Sequence, residues 1–122
     1  MRPAVNRIVL SLPMPPSVNA LFLNRASGGR ARTKMYNEWI VEAGWRIQMQ
    51  NVGMIAGPYE IDIKFARLSK RSDLGNREKA LSDLLVKHGI LEDDRLAERI
   101  CMSWAPEGEG VLVTLTKWSA SA

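Results

Sequence analysis

Polar and apolar positions alternate over Tyr59–Phe65, with Tyr59, Ile61, Ile63 and Phe65 on one side and Glu60, Asp62 and Lys64 on the other. An extended chain sends successive side chains to opposite faces, so this spacing predicts a strand buried on one side, starting after the Gly57-Pro58 break. Val5 to Leu12 repeats the pattern through Ile8, Leu10 and Leu12, then stops at Pro13. The Pro13-Met14-Pro15-Pro16-Ser17 run has no N–H to donate at its three prolines and predicts an extended, polyproline-like exit. From Tyr36 to Gln50 the period lengthens: Tyr36, Trp39, Ile40, Ala43 and Ile47 fall on one helical stripe, with Thr33 or Asn37 as the cap. Gly44 inside that helix costs about 1 kcal/mol relative to Ala, which predicts close packing at that point. A second helix is predicted over Leu74–His88, stopped by Gly89. Ile100, Met102 and Trp104, then Val111 to Leu115, predict two final strands joined as a hairpin through Ala105–Gly110. The resulting fold class is α/β (α+β): one small domain over residues 1–122, a mixed or antiparallel sheet with two main helices packed on one face.

Composition narrows the chemistry. A chain of 122 residues that is 46% hydrophobic builds one core without staples. The lone cysteine, Cys101, excludes an internal disulfide and any paired-cysteine zinc site, so a reducing cytoplasm is expected and any metal must be held by oxygen. No apolar run approaches the ~18 residues of a membrane span, and strand-like sequence follows Met1-Arg-Pro-Ala, so neither a membrane nor export is expected. The net charge of +4 is uneven, because the first half of the chain supplies the excess of Lys and Arg. Much of it lies between Asn24 and Lys34, where Arg25, Arg30, Arg32 and Lys34 surround Gly28-Gly29 with no acid among them. That composition predicts a mobile basic loop whose partner is phosphate.

The chemistry-bearing residues cluster around the second predicted helix. At 100° per residue, Asn76, Lys79, Asp83 and Lys87 form one narrow polar stripe opposite Leu81, Leu84 and Leu85. Asp73 precedes the helix, and Gly89-Ile-Leu-Glu92-Asp93-Asp94 follows it, with Ile90 and Leu91 expected to anchor the acidic turn. Asp93 and Asp94 would then meet Asp73 beside the sheet and make an oxygen-only ligand set suited to Mg²⁺ or Mn²⁺. Lys70 and Arg71 beside Asp73 suit phosphate positioning. The plainer alternative makes Asp73 a helix cap and Asp83 an ordinary partner of Lys79 or Lys87. His88 sits where an imidazole meets terminal carbonyls, with a general-base role as the alternative, and Cys101 reads as structural. Charge and carboxylates together point to metal-dependent chemistry on nucleic acid.

Three stretches resemble the RusA-type Holliday junction resolvases found in prophages and bacteria. They are Leu12-Pro13-Met14-Pro15-Pro16-Ser17-Val18-Asn19, the block Asp73-Leu-Gly75-Asn76-Arg-Glu-Lys79-Ala-Leu-Ser-Asp83, and Gly89-Ile-Leu-Glu-Asp93-Asp94. The resemblance implies a small α/β homodimer that nicks four-way DNA junctions in symmetric pairs with Mg²⁺ or Mn²⁺. It implies Asp73 and Asp94 as metal-binding catalytic carboxylates, Lys79 as a basic residue needed for cleavage, and Asp83 and Asp93 as further acids near the site. Arg25, Arg30, Arg32, Lys34, Lys70, Arg71 and Asn76 would contact the DNA. One position departs from the family pattern: Gly75 stands where a carboxylate is expected, in Asp73-Leu74-Gly75-Asn76. Two rival readings follow: a junction-binding protein that cuts weakly or not at all, and a metal enzyme directed at RNA or nucleotides.

Overall fold

A computed structural model describes residues 2–66, 77–105 and 108–119. In chain order its elements are β1 (Arg7–Leu12), β2 (Phe22–Asn24), β3 (Arg30–Arg32), α1 (Lys34–Gln50), β4 (Tyr59–Ala66), α2 (Glu78–Lys87), β5 (Ala97–Ala105) and β6 (Val111–Lys117). Single 3-10 turns cover Val18–Ala20 and Asp94–Leu96. Leu74, and with it the predicted start of the second helix, lies outside the described residues.

The alternating segments become one four-stranded sheet in the order β1-β6-β4-β5, mixed because β4 and β5 run parallel while β6 is antiparallel to both its neighbours. Parallel neighbours cannot be joined by a tight turn, and here the connection from β4 to β5 carries α2. One face is the core: Ile8, Leu10 and Leu12 of β1, Tyr59, Ile61, Ile63 and Phe65 of β4, and Val111, Val113 and Leu115 of β6 are all buried. Each large apolar side chain removed from water there contributes about 1.5–3 kcal/mol. Trp39, Ala43 and Ile47 of α1 and Leu81, Leu84 and Leu85 of α2 complete this core. The other face presents Arg7, Glu60, Asp62, Arg99, Thr114 and Thr116 around a shallow depression. Cys101 lines it as well, beside Asp62 in register.

The expected hairpin between the last two strands is not what forms. β5 pairs only with β4, at the sheet edge, and β6 enters the slot between β1 and β4, where Val111 faces Leu12 on one side and Phe65 on the other. Gly110 permits this entry: its φ is +73°, and a Cβ there would lie 2.4 Å from the Leu12 carbonyl oxygen. Its own carbonyl accepts from the Ala66 N–H at 2.9 Å, so the chain passes the end of β4 instead of folding back on β5.

The proline run is extended, and the body grips it. Pro15 and Pro16 are buried, Trp39 Nε1 donates to the Pro13 carbonyl at 3.0 Å, and Arg77 Nη1 donates to the Pro15 carbonyl at 2.6 Å. Thr33 is the cap of α1, accepting from the Tyr36 N–H at 3.1 Å, an arrangement worth about 1 kcal/mol. Gly44 meets the close neighbour its position predicts, since a Cβ would stand 3.2 Å from His88 Nε2.

Candidate functional site

The acidic turn is built by the end of α2. Gly89 adopts φ +72°, which lets the Ile90 and Leu91 N–H groups both reach the Leu85 carbonyl, at 3.0 and 3.3 Å. Ile90 is 0% and Leu91 1% exposed, and the Ile90 carbonyl accepts from the Ile55 N–H, so Glu92–Asp94 projects from a fixed base as the sequence led one to expect. Asp93 then caps the 3-10 turn, its Oδ1 accepting from the Arg95 N–H at 2.9 Å. That hydrogen bond, aided by the Asp94 side chain and the Arg95 charge, holds the Asp93 carboxyl below the usual carboxylate range. Asp93 and Asp94 are exposed, and among the described residues neither forms an ion pair with a Lys or Arg.

Behind this turn stands Tyr59, 1% exposed, whose hydroxyl lies 3.5 Å from the Asp94 carbonyl oxygen. Burial pushes its phenol up to about 12, and the negative charges of Asp94, Glu78 and Asp93 add to the effect. Three carboxylates from two elements therefore act on one buried hydroxyl. Sequence reasoning missed both Tyr59 and Glu78: the first reads as an ordinary core position of an alternating strand, the second as a surface acid in the first turn of a helix.

The opposite flank of α2 has a different character. Lys79 Nζ pairs with Asp83 Oδ1 at 3.4 Å, the helical pair that the plain reading anticipates. Asp83, Arg32 and Lys79 all act on the phenol of Tyr36, which burial and Asp83 raise while the two cations lower it. The basic segment is a hairpin of β2 and β3 and not an irregular loop. Its turn is closed by Arg25 and Gly29, with the Arg25 N–H donating to the Gly29 carbonyl at 3.0 Å. Gly28 and Gly29 both take positive φ there, which the Gly-Gly pair supplies without strain. Arg30 lies over the Phe22 ring at 4.5 Å, and Phe22 meets Tyr36 edge-on, so an aromatic contact ties the arginine face to α1. Arg25, Arg30 and Arg32 are exposed. Lys34 is not part of the loop, since it opens α1 and faces Glu38 at 3.8 Å on the surface.

His88 is turned toward α1 and not toward the acids; burial lowers its pKa, with Arg2 and Lys87 adding to the effect, and Gly44 supplies its space. Asp73, Asn76, Lys70 and Arg71 lie outside the described residues, as does Gly75. Among the described residues no three His, Cys, Asp or Glu side chains are gathered closely enough to hold a metal ion. The donors on the Tyr59 flank are nevertheless all carboxylate oxygens, the chemistry a hard divalent cation takes.

A mixed sheet with an acidic crossover and a separate arginine hairpin is a suitable frame for an enzyme acting on a polyanion. The family model described as Endodeoxyribonuclease RusA matches residues 13–116, and the chain belongs to that family, whose activity is endonucleolytic resolution of Holliday junctions. No curated protein matches the chain. Among the described residues no helix is long and apolar enough to cross a membrane.

Proposed function

We propose that this protein is a homodimeric, metal-dependent endonuclease that resolves four-way DNA junctions by paired symmetric nicks. The observation that carries the reading is the family match over residues 13–116, which spans the acidic turn and the basic hairpin together. Asp73 and Asp94 would hold Mg²⁺ or Mn²⁺ with Asp93 beside them. Such an ion activates a water and neutralises charge building on the phosphate when bound. Lys79 is exposed on α2 and supplies a positive charge toward the scissile phosphate. Arg25, Arg30 and Arg32 grip the DNA backbone from the hairpin, with Lys34, Lys70, Arg71 and Asn76 as further contacts.

The test is a labelled four-way junction beside a linear duplex of matched sequence, with Mg²⁺, Mn²⁺ or EDTA. Paired, metal-dependent nicks confined to the junction are expected. Asp94→Asn should lower cleavage at least about a hundredfold while junction binding survives, since a lost ligand removes chemistry and not the basic surface. Loss of binding together with cleavage would count against the assignment. Gly75 favours one second reading, a junction-binding protein that does not cut; it predicts tight, salt-sensitive binding and no nicks in either metal.

A further inference from the structure

We infer that the face of the four-stranded sheet turned away from the helices is the surface on which two copies of this chain meet. The inference rests on the homodimeric part of the reading above and gives that dimer its surface. α1 and α2 both pack on the core face, and every residue around the depression on the other face belongs to one of the four strands. Sheets stack about 10 Å apart, so two such bare faces meet side chain to side chain.

The register shows what each copy brings. Arg7, Thr116, Glu60 and Arg99 form one row across the strands, with an arginine at each end. Asp62 stands in the next row, between Thr114 and Cys101, and Lys64 in the row beyond. Arg7, Lys64 and Arg99 thus share the face with Glu60 and Asp62, and none of these forms an ion pair with a described residue. Asp62 Oδ1 is shut off from water and has no hydrogen-bond partner among the described residues. A carboxylate oxygen left in this way is costly, and a donor from a second copy removes the cost.

Charge sign selects the occupant. A surface for a polyanion carries one sign, as the acid-free hairpin does, whereas this face carries both. A two-fold interface sets a surface against its own copy, so unpaired charges of both signs answer one another, arginine to carboxylate. Val9 and Leu112, 47% and 43% exposed, add apolar contact from the same face. The acidic turn is tied to Leu85 of α2 and the hairpin to Thr33, the cap of α1, so both are rooted in the helix layer. A joint through the bare face leaves both uncovered in each copy.

The deciding experiment is sedimentation of the full chain over a wide concentration range. The parent should run at twice the chain mass. Arg7→Glu with Arg99→Glu turns the face negative, and Glu60→Lys with Asp62→Lys turns it positive. Each double variant alone should self-associate at least about a hundredfold more weakly than the parent, because like charges then oppose each other. Mixing the two should restore the dimer, which a pair of unfolded chains would not do. A second readout needs no substitution: Cys101, the lone cysteine, lies on this face and should lose reactivity toward a maleimide at concentrations that favour the dimer. Variants that dimerise alone as the parent does, or an unchanged Cys101 rate in a dimeric parent, would overturn the inference and leave the nuclease reading standing. A parent that is monomeric throughout would overturn the inference together with the homodimeric part of that reading. If the Arg7→Glu, Arg99→Glu form of that monomer also loses junction affinity, the occupant is DNA and not a second copy.

Discussion

The acidic turn at 92–94 and the basic hairpin at 22–32 lie on opposite flanks of α2 and are held in opposite ways. The turn grows from two residues with almost no exposure, Ile90 and Leu91, and its backbone is tied to Leu85 and Ile55. The hairpin has three-residue strands, every side chain from Leu23 to Arg30 is exposed, and its anchors are at its root. There Thr33 donates from Oγ1 to the Ala20 carbonyl at 2.6 Å and from its N–H to the Leu21 carbonyl at 2.9 Å. Groups that hold a reacting centre must stay within a fraction of an ångström, and buried neighbours provide that. Groups that grip a phosphate backbone can follow it, and a lightly rooted hairpin opens at lower free energy than the core.

The largest expected effect breaks the rigid side of this contrast. Leu91→Ala removes a buried side chain beneath the acids and should destabilise the protein by about 2–5 kcal/mol, read from urea unfolding. Truncating the exposed Leu23 of the hairpin to Ala should fall within about 0.5 kcal/mol in the same assay. A smaller effect separates the two flanks by pH. The Tyr59 phenol ionises at 10.0 in the unfolded chain and at about 12 when folded. Its neutral form therefore contributes stability that is intact below pH 10 and is lost as pH rises to about 12, up to about 3 kcal/mol. Tyr59→Phe should flatten the alkaline loss seen in unfolding between those pH values, and Tyr36→Phe should flatten it less. The smallest effect belongs to the compliant side. Replacing Arg30 and Arg32 with Ala should weaken junction binding at every sequence and reduce the slope of log affinity against log salt by about 2. An unchanged slope would remove the hairpin from the DNA surface.

How much of this was legible in the chain depends on what a local pattern encodes. The alternation at Tyr59–Phe65 and the helical stripe from Tyr36 to Ile47 record which faces are buried, and both elements form as read. The stop at Gly89 and the burial of Ile90 and Leu91 were equally readable, because a left-handed turn and an apolar pair carry their reasons locally. Strand order is different. Nothing in the period of Val111–Leu115 says that it lies between β1 and β4, and a Gly-rich link before it resembles a hairpin turn as much as a passage around a strand end. The anchored turn that carries Asp93 and Asp94 was readable from Ile90 and Leu91. That Glu78 acts on Tyr59 and Asp83 on Tyr36 needed the helix to be docked, and the place of Tyr59 behind the acidic turn needed the crossover from β4 to β5.

The late position of β6 among the strands has a consequence for the time at which the sheet closes. The strand that joins β1 to β4 is translated after the other three strands of its sheet, and the pairing that completes the sheet extends to Lys117. The chain must therefore have left the ribosome through Lys117 before the sheet can close, and only then does the crossover rest on a finished core. A message interrupted before β6 therefore yields a fragment in which β1 and β4 have no strand to join them.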